Sequence, residues 1–182
     1  MNTWMEVGFT ALLAVTAENL IFTGGIGFSR VLRAARKPKT IGIYSLFVGG
    51  FSLVSALVAC FLGPVLLSNS TLLFMRPAIY AFCAALAYIL AAFLMKTFLP
   101  GIYDKVGAVL APAAINCIVL SMPYMQRSFT LQPHEAVGFA IGTGVAFFLA
   151  ALVLSEALER YRNENMPRAF RGLPSVLIYV GI

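Results

Sequence analysis

Five long apolar stretches dominate the chain, and each is long enough to cross a lipid bilayer as an α-helix, which requires about 20 mainly apolar residues. Only 11% of the 182 residues are charged, whereas soluble domains carry about 25% charged residues. Because the bilayer core offers the backbone no outside hydrogen-bond partners, such stretches form helices. The sequence therefore predicts an all-α integral membrane protein. We place the five stretches at residues 4–22, 41–67, 77–98, 106–125 and 135–158.

A sixth apolar stretch covers only residues 173–182. A helix of this length rises about 15 Å, which is half of a roughly 30 Å hydrocarbon core. It is either a half-helix packed against protein or the start of a truncated helix, and we favour truncation. With this segment, we predict about six transmembrane helices in a single membrane domain over residues 1–182. No Lys or Arg precedes Arg30, so we expect the first stretch to be a membrane helix rather than a signal peptide.

The basic residues predict the orientation in the membrane. The loops after the first, third and fifth stretches hold eleven Lys and Arg residues, counting Lys96 at the end of the third stretch, whereas the other loops hold two, Arg76 and Arg127. Because cytoplasmic loops accumulate Lys and Arg, we predict that the N-terminus lies outside the cytoplasm. Membrane topology also explains the formal net charge of +6, so we expect membrane lipid and no nucleic acid around this chain.

Two short segments of similar sequence predict an internal repeat. Residues 17–21 (AENLI) resemble residues 114–118 (AINCI) at an offset of 97 residues. The offset divides the chain into repeats of about 1–99 and 100–182, with three helices each, and a three-helix repeat places its second copy upside down in the membrane. In such inverted pairs, broken helices meet near the midplane and form the site there. We therefore predict breaks in the first and fourth helices.

Four side chains in these similar segments are candidate site residues: Glu18, Asn19, Asn116 and Cys117. Cys117 is either a site residue or an ordinary small buried thiol. The two asparagines either bond the carbonyl groups freed by broken helices or form ordinary interhelical hydrogen bonds. Glu18 either relays protons or binds a cation, which are typical roles of ionisable groups inside membranes. Alternatively, the first helix ends early and Glu18 lies at the interface between membrane and water.

Longer segments resemble a known family. They include Glu18-Asn-Leu-Ile-Phe22, the stretch from Arg76 to Pro100-Gly-Ile-Tyr103, Asn116-Cys117, and Pro167-Arg-Ala-Phe-Arg-Gly172. In these segments the chain is similar to the membrane subunits of the Rnf complex and of the Na+-pumping NADH:quinone oxidoreductase (Nqr) complex. The resemblance is strongest to the RnfA and NqrE proteins of these complexes, and it covers nearly the whole chain.

This resemblance implies six helices in two inverted halves and a location in the prokaryotic inner (cell) membrane. It implies a homologous partner of inverted topology, of the RnfE or NqrD type, beside the other subunits of the complex. The two proteins would share one [2Fe–2S] cluster, with two cysteines from each. The complex would couple electron flow through this cluster to movement of Na+ or H+. In this chain, the resemblance makes Cys117 a cluster ligand, and it makes Asn19 and Asn116 candidates to bond the sulfur atoms of the cluster.

The chain departs from the family pattern where the first cluster cysteine is expected, because this position holds Ser29. Iron–sulfur clusters are held by thiolates, and a serine hydroxyl is far harder to deprotonate. The cluster is therefore altered, completed by further ligands from the partner, or lost. If it is lost, the alternative function is a non-redox small transporter or an assembly subunit on the same scaffold. The other cysteines, Cys60 and Cys83, lie outside any motif, and we expect them to be ordinary buried thiols.

Overall fold

A computed structural model describes residues 3–68, 70–128 and 131–160, together with Pro174 and Ile178. Apart from the last two positions, these residues form seven α-helices, one short 3-10 turn at Pro38–Thr40 and the connections between them, with no β-strand in the described ranges. The α-helices are α1 Thr3–Val15, α2 Phe28–Ala35, α3 Ile41–Ser68, α4 Ser70–Phe98, α5 Pro100–Ala114, α6 Cys117–Ser128 and α7 Pro133–Arg160.

Three segments are long and apolar enough to cross a membrane: 38–68 around α3, 74–98 in α4 and 133–159 in α7. The pair α5 and α6 forms a fourth candidate span that is bent by 46°. The all-α membrane prediction is confirmed by these helices, whereas the count of six is not. The first apolar helix is only 13 residues long, and the predicted sixth segment lies outside the described residues apart from two positions. The inverted repeat also stays a prediction.

Two predicted connections prove to be helical. The stretches predicted at 77–98 and 106–125 leave a connection from Leu99 to Lys105, but residues 100–105 form the first turns of α5, and only Leu99 separates α5 from α4. Proline is favoured in the first helical turn because the N–H group it lacks has no partner there. Similarly, α3 continues to Ser68 and α4 begins at Ser70, so the described residues between the predicted stretches 41–67 and 77–98 are helical.

Helix α7 packs closely against both α1 and α3 through glycines. A Cβ atom on Gly142 would lie 2.8 Å from the Cα of Ala11, and one on Gly144 would lie 2.9 Å from the Cα of Gly49. These distances leave no room for a side chain. Small residues allow membrane helices to approach to backbone contact. The glycines therefore fix where α1 and α3 lie against α7.

Two side chains on α3 donate hydrogen bonds to backbone carbonyl groups of the bent pair α5 and α6. The Tyr44 hydroxyl donates to the Pro112 carbonyl at 2.9 Å, which belongs to the last turn of α5, where carbonyls have no partner within the helix. The Ser55 hydroxyl donates to the Val119 carbonyl at 2.8 Å. The helical partner of that carbonyl would be the nitrogen of Pro123, which carries no hydrogen. Helix α3 thus stabilises the irregular backbone of its neighbour.

The packing of α1 on α7 predicts the effect of Gly142→Ala. The added methyl group collides with backbone atoms of Ala11, and overpacking of this kind costs about 1–3 kcal/mol. We expect a lower melting temperature of the detergent-solubilised chain, measured by thermal unfolding.

Gly8→Ala is the matched control on α1, because a Cβ there meets no atom within 4 Å. Alanine also has the higher helix propensity, so this variant should melt at the same or a higher temperature. Equal destabilisation by both substitutions would contradict the close packing of α1 on α7.

Candidate functional site at two helix breaks

The first break follows α1 and is held by the side chain of Asn19. Its amide donates to the Val15 carbonyl at 3.0 Å, and its oxygen accepts from the backbone N–H of Ile21 at 3.1 Å. The Asn19 carbonyl accepts both the N–H and the hydroxyl of Thr23. Asn19 is only 6% exposed, so its side chain replaces the water that unpaired backbone groups would require. The helix predicted to reach Phe22 therefore ends at Val15.

Two glycines with positive φ lead the chain from this break into α2. Gly25 has φ 64° and Gly27 has φ 75°, a region that residues with a Cβ atom rarely adopt. The two glycines redirect the chain immediately before Phe28, where α2 begins.

The second break separates α5 from α6 and centres on Asn116, which is 1% exposed. Its side-chain oxygen accepts from the Ile118 N–H at 3.4 Å, and its carbonyl accepts from the Leu120 N–H at 3.0 Å. An asparagine that accepts from the first turn in this way caps a helix N-terminus. Its Nδ2 atom is buried and has no partner among the described residues. The predicted interruption of the fourth helix is thus present, and Asn116 begins its second half.

The two breaks contact each other. A Cβ atom on Gly27 would lie 2.7 Å from Cδ1 of Ile118 and 3.1 Å from Oδ1 of Asn116. Only glycine allows this contact. Helices α2 and α6 begin directly beside it, at Phe28 and Cys117. Each helix N-terminus carries a partial positive charge, so two such ends converge on one place.

Ser29 and Cys117 lie in the first turns of these two helices, and both are exposed. The Cys117 thiol is therefore accessible, and its helix is interrupted just before it. Cys60 and Cys83 lie inside α3 and α4 and are half-buried. Of the four candidate residues from the similar segments, the two asparagines face inward and hold the backbone, whereas Cys117 and Glu18 face outward.

The described residues do not form a metal centre by themselves. No group of three or more His, Cys, Asp or Glu side chains within them is arranged to hold a metal ion. Cys117 brings one thiol to the surface, and Ser29 brings a hydroxyl group near the same contact. A [2Fe–2S] cluster is ordinarily held by four cysteine thiolates. The site therefore fits a cluster only as a contributor of part of its ligand set, with the rest coming from outside these residues.

Glu18 lines a cavity of about 300 Å³ between α1 and α7, beside Thr10, Leu13 and Phe139. A second carboxylate, Glu135 at the start of α7, lines the same cavity. The sequence does not indicate this pairing, because Glu135 is far along the chain and near a helix end. The packing of α1 on α7 brings the two carboxylates to one cavity.

His134 beside this cavity bonds to Glu6 at 2.7 Å, and the pair links the starts of α7 and α1. The sequence gives this histidine no special role. In the structure, it fixes the two helix ends relative to each other.

The known proteins that this chain resembles are subunits of related membrane complexes. A family model described as "Rnf-Nqr subunit, membrane protein" matches residues 9–181. The RnfA protein of the proton-translocating ferredoxin:NAD(+) oxidoreductase complex of Clostridium ljungdahlii is 23% identical over 169 residues, covering 93% of this chain and 88% of that protein. The NqrE protein of the Na(+)-translocating NADH-quinone reductase of Neisseria meningitidis serogroup C is 28% identical over 177 residues, with the same two coverages. The RnfA protein of the ion-translocating oxidoreductase complex of Buchnera aphidicola is 24% identical over 178 residues, covering 96% of this chain and 90% of that protein.

The contact between the breaks predicts different effects for two neighbouring glycine substitutions. Gly25→Ala introduces only an unfavourable φ, because a Cβ there meets open space, and a positive φ costs a non-glycine residue about 1–3 kcal/mol. Gly27→Ala has the same backbone cost and also collides with Ile118, which adds about 1–3 kcal/mol of overpacking.

We expect Gly27→Ala to lower the melting temperature of the chain clearly more than Gly25→Ala, measured by thermal unfolding in detergent. Equal effects of the two substitutions would show that the breaks do not contact each other in solution.

Proposed function

Because the chain belongs to the Rnf-Nqr family of membrane subunits, we propose that it is a membrane subunit of an ion-translocating electron-transport complex. The named relatives are the RnfA and NqrE components of complexes that translocate protons, Na+ or other ions. Since each relative is one component of a larger assembly, this chain is proposed to act together with partner proteins rather than as an enzyme alone. The excess of basic residues in alternate loops supports an orientation with the N-terminus outside, and the bacterial relatives support an inner-membrane location.

We propose that Cys117 is one ligand of a [2Fe–2S] cluster shared with a homologous protein of inverted topology, of the RnfE or NqrD type. The single observation that carries this proposal is an exposed thiol at the first residue of a helix that begins within a membrane span. When bound, the cluster would supply one-electron transfer within the bilayer. The chain's own contribution is to hold this thiol at a surface where a partner can reach it.

The asparagines position Cys117 rather than bind the cluster directly. Asn116 precedes the thiol in the chain and fixes the first turn of α6 through its side-chain oxygen. Asn19 fixes the other break, which Gly27 brings against Asn116. Ser29 is exposed in the first turn of α2 and would face the same partner. A serine there supplies no thiolate, so the partner would provide more than half of the thiolate ligands.

Cys117→Ser tests the ligand role in the purified complex. We expect the electron paramagnetic resonance signal of a reduced [2Fe–2S] cluster and the iron content to fall together, because the thiolate is lost. Cys83→Ser is the control, since its thiol lies half-buried within α4, and it should retain both signals.

An assembled wild-type complex without the signal would overturn the redox role. It would favour the alternative, a non-redox transporter or assembly subunit, which the serine at position 29 supports.

We further propose that Glu18 lies on the ion path. Its carboxylate is exposed, follows the end of α1 and lines a cavity shared with Glu135 and Thr10. Two carboxylates and a hydroxyl group lie among the otherwise apolar residues that line this cavity, and carboxylate oxygens suit a hard cation such as Na+ or a proton in transit. Because α1 ends at Val15, Glu18 lies outside the helix, in the irregular segment that Asn19 holds.

Glu18→Gln removes this charge with little change in shape. We expect ion uptake by proteoliposomes that contain the complex to fall about tenfold or more, which corresponds to 1.4 kcal/mol, while assembly of the complex is unchanged. Glu156→Gln, an exposed carboxylate near the far end of α7, is the matched control and should have no effect. Unchanged uptake in Glu18→Gln would remove this residue from the path.

A further inference from the structure

Arg76, in the second turn of α4, is a buried cation without an anionic partner among the described residues. Its side chain is 7% exposed, and its Nε atom has no hydrogen-bond partner in the same part of the chain. Six of the seven acidic residues lie in the described ranges, and none of them forms an ion pair with it. A buried charge is very costly in a membrane protein unless it is paired. The position therefore calls for a partner from outside these residues.

Two aromatic rings hold the guanidinium group in place. Its central carbon lies 5.8 Å from the ring centre of Tyr80 and 5.4 Å from that of Tyr124. These two rings meet edge to face, with centres 6.2 Å apart. Stacking on aromatic faces orients the planar guanidinium, and its Nε donor is left without a partner among the described residues. The two tyrosine rings thus hold the guanidinium of Arg76 in a defined orientation.

The guanidinium borders a cavity of about 350 Å³, which Tyr80, Cys60 and Gly63 also line. Pro133, the first residue of α7, lines it too, so the partial positive charge of a long helix N-terminus lies at the same cavity. Glu135, at this helix end, accepts from the Gln132 N–H at 2.7 Å and lines the separate cavity of Glu18. Among the described residues, no carboxylate lines the cavity of Arg76. The cavity is therefore electropositive, because both the Arg76 guanidinium and the N-terminus of α7 border it.

We propose that this cavity binds the phosphate group of an anionic phospholipid. A planar guanidinium matches phosphate oxygens through paired hydrogen bonds. The volume suits a headgroup rather than a whole lipid. Pro64 and Leu67, near the end of α3, line the cavity and are exposed on the outer surface of the helices. Acyl chains can therefore leave the cavity along a lipid-facing surface.

The position along the helices also favours a lipid headgroup. The apolar part of α4 begins at Phe74, two residues before Arg76, so the cavity lies near the end of a candidate span. Phosphate groups of a bilayer lie at this depth, just beyond the hydrocarbon core. A lipid phosphate would provide the missing anion without any change in the fold. This proposal rests on the membrane location alone and is independent of the role of Cys117.

Native mass spectrometry of the full chain in mild detergent tests the proposal with two probes, phosphatidylglycerol and phosphatidylethanolamine. We expect the wild type to retain one phosphatidylglycerol about tenfold more tightly than phosphatidylethanolamine, because the ammonium group of phosphatidylethanolamine offsets the charge of its phosphate and finds no carboxylate among the described residues that line the cavity. Arg76→Gln should remove this preference, whereas Arg36→Gln, at the exposed end of α2, should keep it.

Several outcomes would overturn the proposal. The first is equal binding of the two lipids by the wild type, and the second is an unchanged preference in Arg76→Gln. The third is the absence of bound lipid from the wild-type chain in its assembled complex, which would show that a carboxylate of a partner protein pairs with Arg76 instead. Displacement by millimolar inorganic phosphate would overturn the lipid as the source of the phosphate. If Arg76→Gln does not fold, Arg76→Lys keeps the charge but loses the planar fork, and it should bind phosphatidylglycerol more weakly than the wild type. The wild-type comparison of the two lipids requires no variant.

Discussion

The structure depends on one constraint, that every backbone polar group within a lipid bilayer must find a partner inside the protein. Where the helices break, side chains take over this role. Asn19 bonds groups on both sides of the first break, and Asn116 caps the helix after the second. The hydroxyl groups of Tyr44 and Ser55 reach across from α3 to carbonyls of α5 and α6. The first break is therefore held by Asn19, whereas the irregular backbone of α5 and α6 is stabilised by Asn116 and by α3, which lies alongside it.

The use of side chains to bond the backbone at the breaks divides the polar residues of the site into two groups. Those that support the breaks are buried and bonded to backbone, whereas those suited to chemistry, Cys117 and Glu18, point outward. The contact of Gly27 with Ile118 links the two breaks, so a shift of one break would require the other to adjust. Under the proposal of a shared cluster, this packing would hold the Cys117 thiol in place, because ligands from two chains must meet at fixed positions.

The sequence predicts the long helices well, because hydrophobic length alone determines them. The apolar stretch 41–67 becomes Ile41–Ser68, and the stretch 135–158 becomes Pro133–Arg160. Helix ends are harder to predict, because they depend on side-chain bonds. Val15 ends α1 because Asn19 takes its carbonyl, and Pro100 starts a helix where a break is predicted. Contacts between distant residues, such as the approach of Gly27 to Asn116 and the stacking of Arg76 on two tyrosines, could not be predicted from one sequence, because they require the helices to be packed first.

The serine at position 29 limits how the proposed cofactor can be held. Four thiolates hold an ordinary [2Fe–2S] cluster, and the described residues bring one exposed thiol to the junction of the breaks. Under the proposal of a shared cluster, the described part of this chain would contribute one of the four thiolates, through Cys117. The backbone beside Ser29 has the two positive-φ glycines and the contact with Asn116, so the break itself does not depend on a thiol at position 29. Under the proposed ion path, the same break has a second role, because it ends α1 at Val15 and leaves Glu18 at the cavity that Glu135 also lines.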